Sequence, residues 1–270
     1  MSRRRVVAAW YGVRFAALAY LAVLVLVPLG LVFYRTFEHG FWPAWDAVSS
    51  HEGRSAFWLT LEIAAITVPL NTVFGVMTAL AIVRHRFPGK GIVNALVDLP
   101  LALSPVVVGL SLLLLYGRLG WFGPWLDRHG IQIVFAMPAM VLATIFVSLP
   151  FVVREVVPVL REIGTEQEQA AATLGASGFQ IFRRITLPAI RWGVAYGVVL
   201  TTARALGEFG AVSVVSGRLA GKTETLTLYV EDRYQSFDYT GAYAAAVVLA
   251  LVAVLTLLAM TLLRPKHLDA

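Results

Sequence analysis

The sequence predicts an all-α integral membrane protein with about six transmembrane helices and both termini cytoplasmic, and three observations carry that prediction. Of its 270 residues, 59% are hydrophobic and 14% charged, whereas a soluble domain is about 45–50% apolar and about a quarter charged. Such a surplus cannot be hidden in one water-soluble core. Six runs also reach the roughly 20 apolar residues needed to cross about 30 Å of hydrocarbon. Finally, the N-terminus, the 84–91 turn, the 154–191 loop and the C-terminal tail hold 14 of the 22 Lys and Arg, while the three alternate connections hold 7. Basic residues accumulate on the cytoplasmic side, so the alternation sets the orientation of every span.

The first run, Phe15–Tyr34, follows Ser2-Arg3-Arg4-Arg5. Its apolar stretch is long for a secretory signal, and its small-x-small triplet, Ala17-Leu18-Ala19, falls near its beginning, so it is expected to be a retained helix. The second, Phe57–Val83, contains Pro69, Asn71 and Glu62. Asn71 suits a hydrogen bond between helices, and Glu62 lies close enough to the outer end to be hydrated. The third, Ile92–Tyr116, carries Pro100 and Pro105, two missing backbone donors that loosen one helix in midmembrane. Ile133–Val153, Trp192–Ser216 and Gly241–Leu263 complete the set. The expected division is a peripheral first helix with its outer connection (1–55), a core membrane domain (56–264) and a cytoplasmic tail (265–270).

The chemistry that composition excludes is broad. The chain has no cysteine, which removes disulfides, thiolate nucleophiles and Cys-ligated metals. Its five histidines are scattered, with no two at helix-face metal spacing. The net charge of +6 belongs to topology and headgroups rather than to nucleic acid. The stretch Ser216-Gly217-Arg218-Leu219-Ala220-Gly221-Lys222-Thr223 ends like a phosphate-binding loop, but serine stands where that pattern needs its first glycine.

The 154–191 loop is too polar to span and too regular to be a linker. Thr165-x-x-Glu168 reads as a capping box, and Glu166 through Leu174 has strong helix propensity. Gly175 ends that helix as a residue able to take the left-handed conformation. Ser177-x-x-Gln180 reads as a second capping box, opening a short helix through Phe179, Phe182 and Ile185 that Leu187-Pro188 closes. Two short helices thus meet at a glycine elbow, one with a smooth alanine face. Such a hairpin either inserts into a partner's groove or lies on the headgroups.

Gln169-Ala170-Ala171-x-x-Leu174-Gly175, nine residues, then Ile185-x-Leu187-Pro188, resembles the EAA motif of bacterial ABC importer permeases. The motif's opening glutamate is Gln169 here, with Glu168 beside it as a possible substitute. The resemblance implies that Glu168, Gln169, Ala170, Ala171, Leu174, Gly175, Phe182, Ile185, Leu187 and Pro188 form a coupling loop that docks on a separate ATPase. Ala203-Arg204-Ala205-Leu206-Gly207-Glu208-Phe209-Gly210-Ala211 resembles a motif shared by sulfate/thiosulfate and molybdate/tungstate permeases. Asp98-Leu99-Pro100, Ala102 through Val107, Pro150 through Pro158 and Gly210 through Gly217 are similar to the W-type (CysW-like) subunits of the sulfate/thiosulfate family.

That family implies the type I ABC importer permease fold in a bacterial inner membrane. It also implies a homologous T-type permease partner, two ATPase subunits carrying ATP and Mg, and an extracytoplasmic sulfate-binding protein. The chain itself would bind no cofactor. Path candidates are Ser104, Pro105, Arg204, Glu208 and Ser213. Arg204 and Glu208 lie four residues apart on one helix face; they either meet a passing dianion or only orient the helix. The alternatives are a molybdate or tungstate permease, or an ion-gradient-driven transporter. The latter would be expected to show inverted repeats, and the two halves show none.

Overall fold

A computed structural model describes residues 3–263, so Ser2 and the tail expected over 265–270 lie outside the described residues. Among the described residues every regular element is helical. Helix α1 (Arg3–Leu21) runs through a π-helical turn (Ala22–Leu26) into α2 (Val27–Phe37). The most apolar stretch of Gly12–Phe37 buries no side chain against the rest of the chain.

Three short helices lie at one end of the bundle. They are α3 (Phe41–Ser49), α7 (Gly123–Arg128) and α13 (Leu226–Gln235). None of the three is long or apolar enough to cross, so the sequence pattern alone shows them as plain connections. Helix α3 exposes Phe41, Trp42 and Trp45, the ring types that settle at a membrane–water boundary. Helix α13 is instead pinned inward: Tyr229 is buried and its hydroxyl donates to the Ala47 carbonyl at 3.0 Å.

The core is built on α4 (His51–Arg84), α8 (Met137–Glu162) and α11 (Leu187–Leu206). Helices α4 and α8 run parallel. Asn71 donates to Ser148 at 2.8 Å and to the Ile145 carbonyl at 3.1 Å, while Arg84 reaches the Leu160 carbonyl. Asn71 is therefore the interhelical tie that was expected. Helix α8 extends nine residues past the expected Val153. Its lower face (Val152, Val153, Val156, Val157, Leu160) is fully packed, and that packing outweighs the internal Pro158. Arg154 is consequently helical, donating from Nε to Asp98 at 2.6 Å.

The third span breaks where its prolines fall. Helix α5 (Lys90–Ala102) and α6 (Pro105–Tyr116) meet at an angle of 112°. The fifth differs from its expected limits at both ends. A continuous helical stretch covers Gly178–Leu206, made of α10 (Gly178–Ile181), a π-helical turn (Phe182–Thr186) and α11. Pro188 does not close it. The π turn widens the helix ahead of the proline, with the Leu187 amide donating five residues back to Phe182, which relieves the usual ring clash with a preceding carbonyl. At the other end the helix stops at Leu206, and Gly210–Val215 forms a separate helix, α12. Helix α14 (Tyr239–Leu263) matches the sixth expected span.

Close packing of the three core helices passes through glycine. A Cβ on Gly197 would lie 2.7 Å from the Val152 Cα, and one on Gly75 would lie 2.8 Å from the Val152 Cβ. The first contact is with backbone and cannot give way. Gly197→Val is expected to destabilise the purified protein by about 1–3 kcal/mol, the usual range for an overpacked core. Thermal unfolding in detergent measures it.

At the α3 end, Glu224 is buried among charges. Burial pushes its carboxyl up to about 7; Asp232 and Glu52 add to the rise, and Arg233 and Arg218 oppose it. The folded chain then holds this proton more tightly than the unfolded chain, whose ordinary value is 4.5. Its contribution to stability is full below that value and is lost as pH rises through about 7. The melting temperature is expected to fall between pH 5 and pH 8, and Glu224→Gln should flatten that dependence.

Candidate functional site

Helix α9 (Glu166–Thr173) lies at the end of the bundle opposite α3, beside the last residue of α4. It buries none of its residues. Gly175 terminates it with φ +83°. The Ala176 amide donates to the Ala171 carbonyl at 3.1 Å, and the Gly175 amide donates to Ala172 at 3.0 Å. These two reversed bonds are the Schellman closure that a left-handed residue permits. A Cβ at Gly175 would meet nothing within 4 Å, so the elbow faces open space.

The second expected capping box is present. Ser177 Oγ accepts from the Gln180 amide at 3.4 Å, and Gln180 Oε1 accepts from the Ser177 amide at 2.8 Å. The first is not. Thr165 Oγ1 accepts from the Gln169 side chain at 2.9 Å instead, and Glu168 turns away from its own helix terminus. It accepts from the Thr186 hydroxyl at 2.7 Å and lies 2.9 Å from Arg84 Nε. Neither partner is legible in the local sequence. Arg84 is 84 residues away, and no local pattern announces a contact at that separation.

The other loop residues divide by face. Gln169, Ala170, Leu174, Gly175, Leu187 and Pro188 are exposed, Leu174 at 88%, while Ala171 and Ile185 are half-buried. Phe182 packs inward against the core cluster that includes Val156, Leu160 and Ile190. Between α9 and α10 lies a groove of about 450 Å³. Ala171, Leu174, Gly175 and Ile185 line it together with Gln180 and Arg184, two residues that the motif alone did not single out. Phe179 stands outside it, 70% exposed. The result is a projecting knuckle with an alanine–leucine face and a basic flank.

The path candidates sit elsewhere. Ser104 is exposed at the α5–α6 break, and Pro105 is in contact distance of Gly210, whose added Cβ would fall 2.9 Å from it. Ser213 donates to the Gly210 carbonyl at 2.9 Å. Arg204 NH2 lies 2.7 Å from Glu208 Oε2, with the two side chains 30% and 2% exposed. Glu208 Oε1 accepts from the Ala211 amide at 2.8 Å, closing the first turn of α12. Glu208 is thus held inside the chain, while the Arg204 head keeps access to the surface.

A family model described as "Binding-protein-dependent transport system inner membrane component" matches residues 71–268. The chain belongs to this family. The permease is 52% identical over 250 residues to the "Sulfate transport system permease protein CysW" of Synechocystis sp., covering 93% of this chain and 91% of that relative. It is 37% identical over 250 residues to the "Sulfate transport system permease protein CysT" of Salmonella typhimurium, covering 93% and 90%. Its fold matches that of a bacterial ABC transporter involved in the import of the acidic polysaccharide alginate. The TM-score is 0.80 at 19% identity, with 94% of each chain covered. The permease therefore has the ABC importer permease fold and is a multi-pass membrane component.

Proposed function

We propose that this chain is the W-type membrane subunit of an ATP-driven importer of sulfate and thiosulfate in a bacterial inner membrane. The observation that carries the substrate is its 52% identity, across nine-tenths of both chains, to a relative named for sulfate transport. Its identity of 37% to a T-type relative favours a pair of homologous but different permeases over two copies of one.

The α9 end lies in the cytoplasm, following the basic connections. Two ATPase subunits, carrying ATP and Mg, receive the knuckles of the two permeases there. Gln169, Ala170, Ala171, Leu174, Gly175, Phe182, Ile185, Leu187 and Pro188 build that contact, and Glu168, engaged by Arg84 and Thr186 within the chain, braces the loop from inside. An extracytoplasmic sulfate-binding protein delivers the anion at the α3 end. The anion then moves along the interface of the permease pair, past Ser104, Pro105, Ser213 and Arg204. Glu208 offsets the Arg204 charge so that a dianion is not held there. ATP-driven closure of the ATPases pushes the knuckles and turns the cavity outward.

Reconstituted vesicles containing both permeases, the ATPase and the binding protein test this reading. Labelled sulfate uptake is expected to require ATP on the ATPase side and to be displaced by thiosulfate more effectively than by molybdate. Uptake driven by an ion gradient without the ATPase, or stronger displacement by molybdate, contradicts it.

A further inference from the structure

Helix α9 hangs between two glycine joints. Gly164 precedes it with φ +63° and Gly175 follows it with φ +83°, and a Cβ at either would touch nothing within 4 Å. A helix that buries no residue and swings on two such joints would absorb a push by rotating. Among the described residues, the side-chain bonds that tie it to the rest of the bundle run through one carboxylate. Glu168 Oε2 lies 2.9 Å from Arg84 Nε, Oε1 accepts from Arg84 NH2 at 3.3 Å, and Oε1 also accepts from the Thr186 hydroxyl at 2.7 Å. The same guanidinium donates to the Leu160 carbonyl at 3.0 Å and to the Gly164 carbonyl at 2.7 Å.

These bonds join four elements at one point. Arg84 is the last residue of α4, Leu160 belongs to the last turn of α8, and Thr186 sits, buried, at the end of the π turn beneath α11. With side chains only 13% and 19% exposed, the pair is screened far less than an ion pair on an open surface. The geometry has a cost for the local helix: Glu168 leaves the terminus it would otherwise cap.

We infer that Arg84, Glu168 and Thr186 form a strut that makes α9 rigid against its glycine joints, so that a push on the knuckle moves α4, α8 and α11 together. The inference rests on the coupling reading above, and Glu168 acts in it as a positioning residue. The glycine joints let α9 adapt to a partner's surface; the strut keeps that adaptation from becoming lost motion.

The test is the number of sulfate ions moved per ATP hydrolysed in the same vesicles. Glu168→Gln keeps the size of the side chain and its bond from Thr186 but removes the charge facing Arg84. It is expected to keep the ATPase bound and hydrolysing while the ratio falls tenfold or more. A doubly substituted chain, Arg84→Cys with Glu168→Cys, should show the same deficit when reduced. Bridging the two thiols with a short bifunctional reagent should restore the ratio, and capping each thiol singly should not. This chain has no native cysteine, so a bridge within it can join only the two introduced thiols, and reagent-treated vesicles with the parent chain control for the other subunits.

An unchanged ratio in Glu168→Gln overturns the strut. So does a fall that tracks loss of bound ATPase, since the pair would then serve docking alone. Crosslinking of Leu174→Cys to the ATPase, run in parallel, separates the two levels. If that bond forms and the ratio is unchanged, only the strut falls; if no bond forms in active vesicles, the coupling reading and the strut fall together.

Discussion

Gly175→Asp is expected to lower ATP-dependent sulfate uptake by about a hundredfold or more while leaving membrane insertion intact. The residue occupies a left-handed backbone position, where an L side chain costs roughly 1–2 kcal/mol, with aspartate among the more tolerant types. Beyond its chain neighbours nothing lies within 4 Å of the added Cβ, so apart from that strain the substitution leaves the permease undisturbed. Its effect arises only against a partner, where the new carboxylate would be buried unpaired at a cost of several kcal/mol. Each 1.4 kcal/mol is a factor of ten. Gly130→Asp supplies the matched control, because Gly130 also has a positive φ (+64°) and an open Cβ but follows α7 at the other end of the bundle. It should insert and transport nearly as the parent does. Equal loss in both variants would assign the effect to backbone strain and remove the docking assignment.

The second large effect falls on Glu208. Glu208→Ala leaves the Ala211 amide without its acceptor and Arg204 without its counter-charge. Thr60, Thr144, Ala205, Val212 and Thr225 close around the carboxylate, with no room for a water beside it. Breaking a buried pair costs about 3–5 kcal/mol. The partial exposure of Arg204 (30%) sets the expectation at the low end of that range. A loss of about 3 kcal/mol shifts the melting temperature by several degrees in a chain of this size, and uptake should fall with the folded fraction. Arg204→Gln strips the counter-charge from a carboxylate only 2% exposed, so it too should lower the melting temperature, and uptake per folded protein should fall by about a further tenfold. Normal uptake by Arg204→Gln would return the pair to a purely packing role.

Much of the architecture was legible because lipid imposes a length that sequence alone displays. Phe57–Val83, Ile133–Val153 and Gly241–Leu263 each lie within or nearly within an observed helix. The break in the third span was visible in Pro100 and Pro105, since a missing donor is a local property. Pro188 misled for the complementary reason. Whether a proline stops a helix depends on the turn before it, and a π turn gives no sign in residue types.

The knuckle divides along the same line. Gly175 and the Ser177–Gln180 box are local devices, and both occur where the pattern placed them. Glu168 obeyed a distant cation instead of its own helix end, because a charge-assisted bond in a half-buried site is stronger than a solvent-exposed cap. The three short helices at the α3 end escaped notice since their burial comes from neighbours: Tyr229 is covered by α3 and α4, not by any periodicity of its own.

The measurement that bears most directly on the knuckle as the receiver of mechanical work is crosslinking from Leu174→Cys, whose side-chain position is 88% exposed. The account predicts a bond to the ATPase in intact membranes, protected from impermeant thiol reagents added outside the cell and altered when ATP is trapped on the complex. Labelling from outside, or a thiol that reaches only lipid in a transporting preparation, would contradict it.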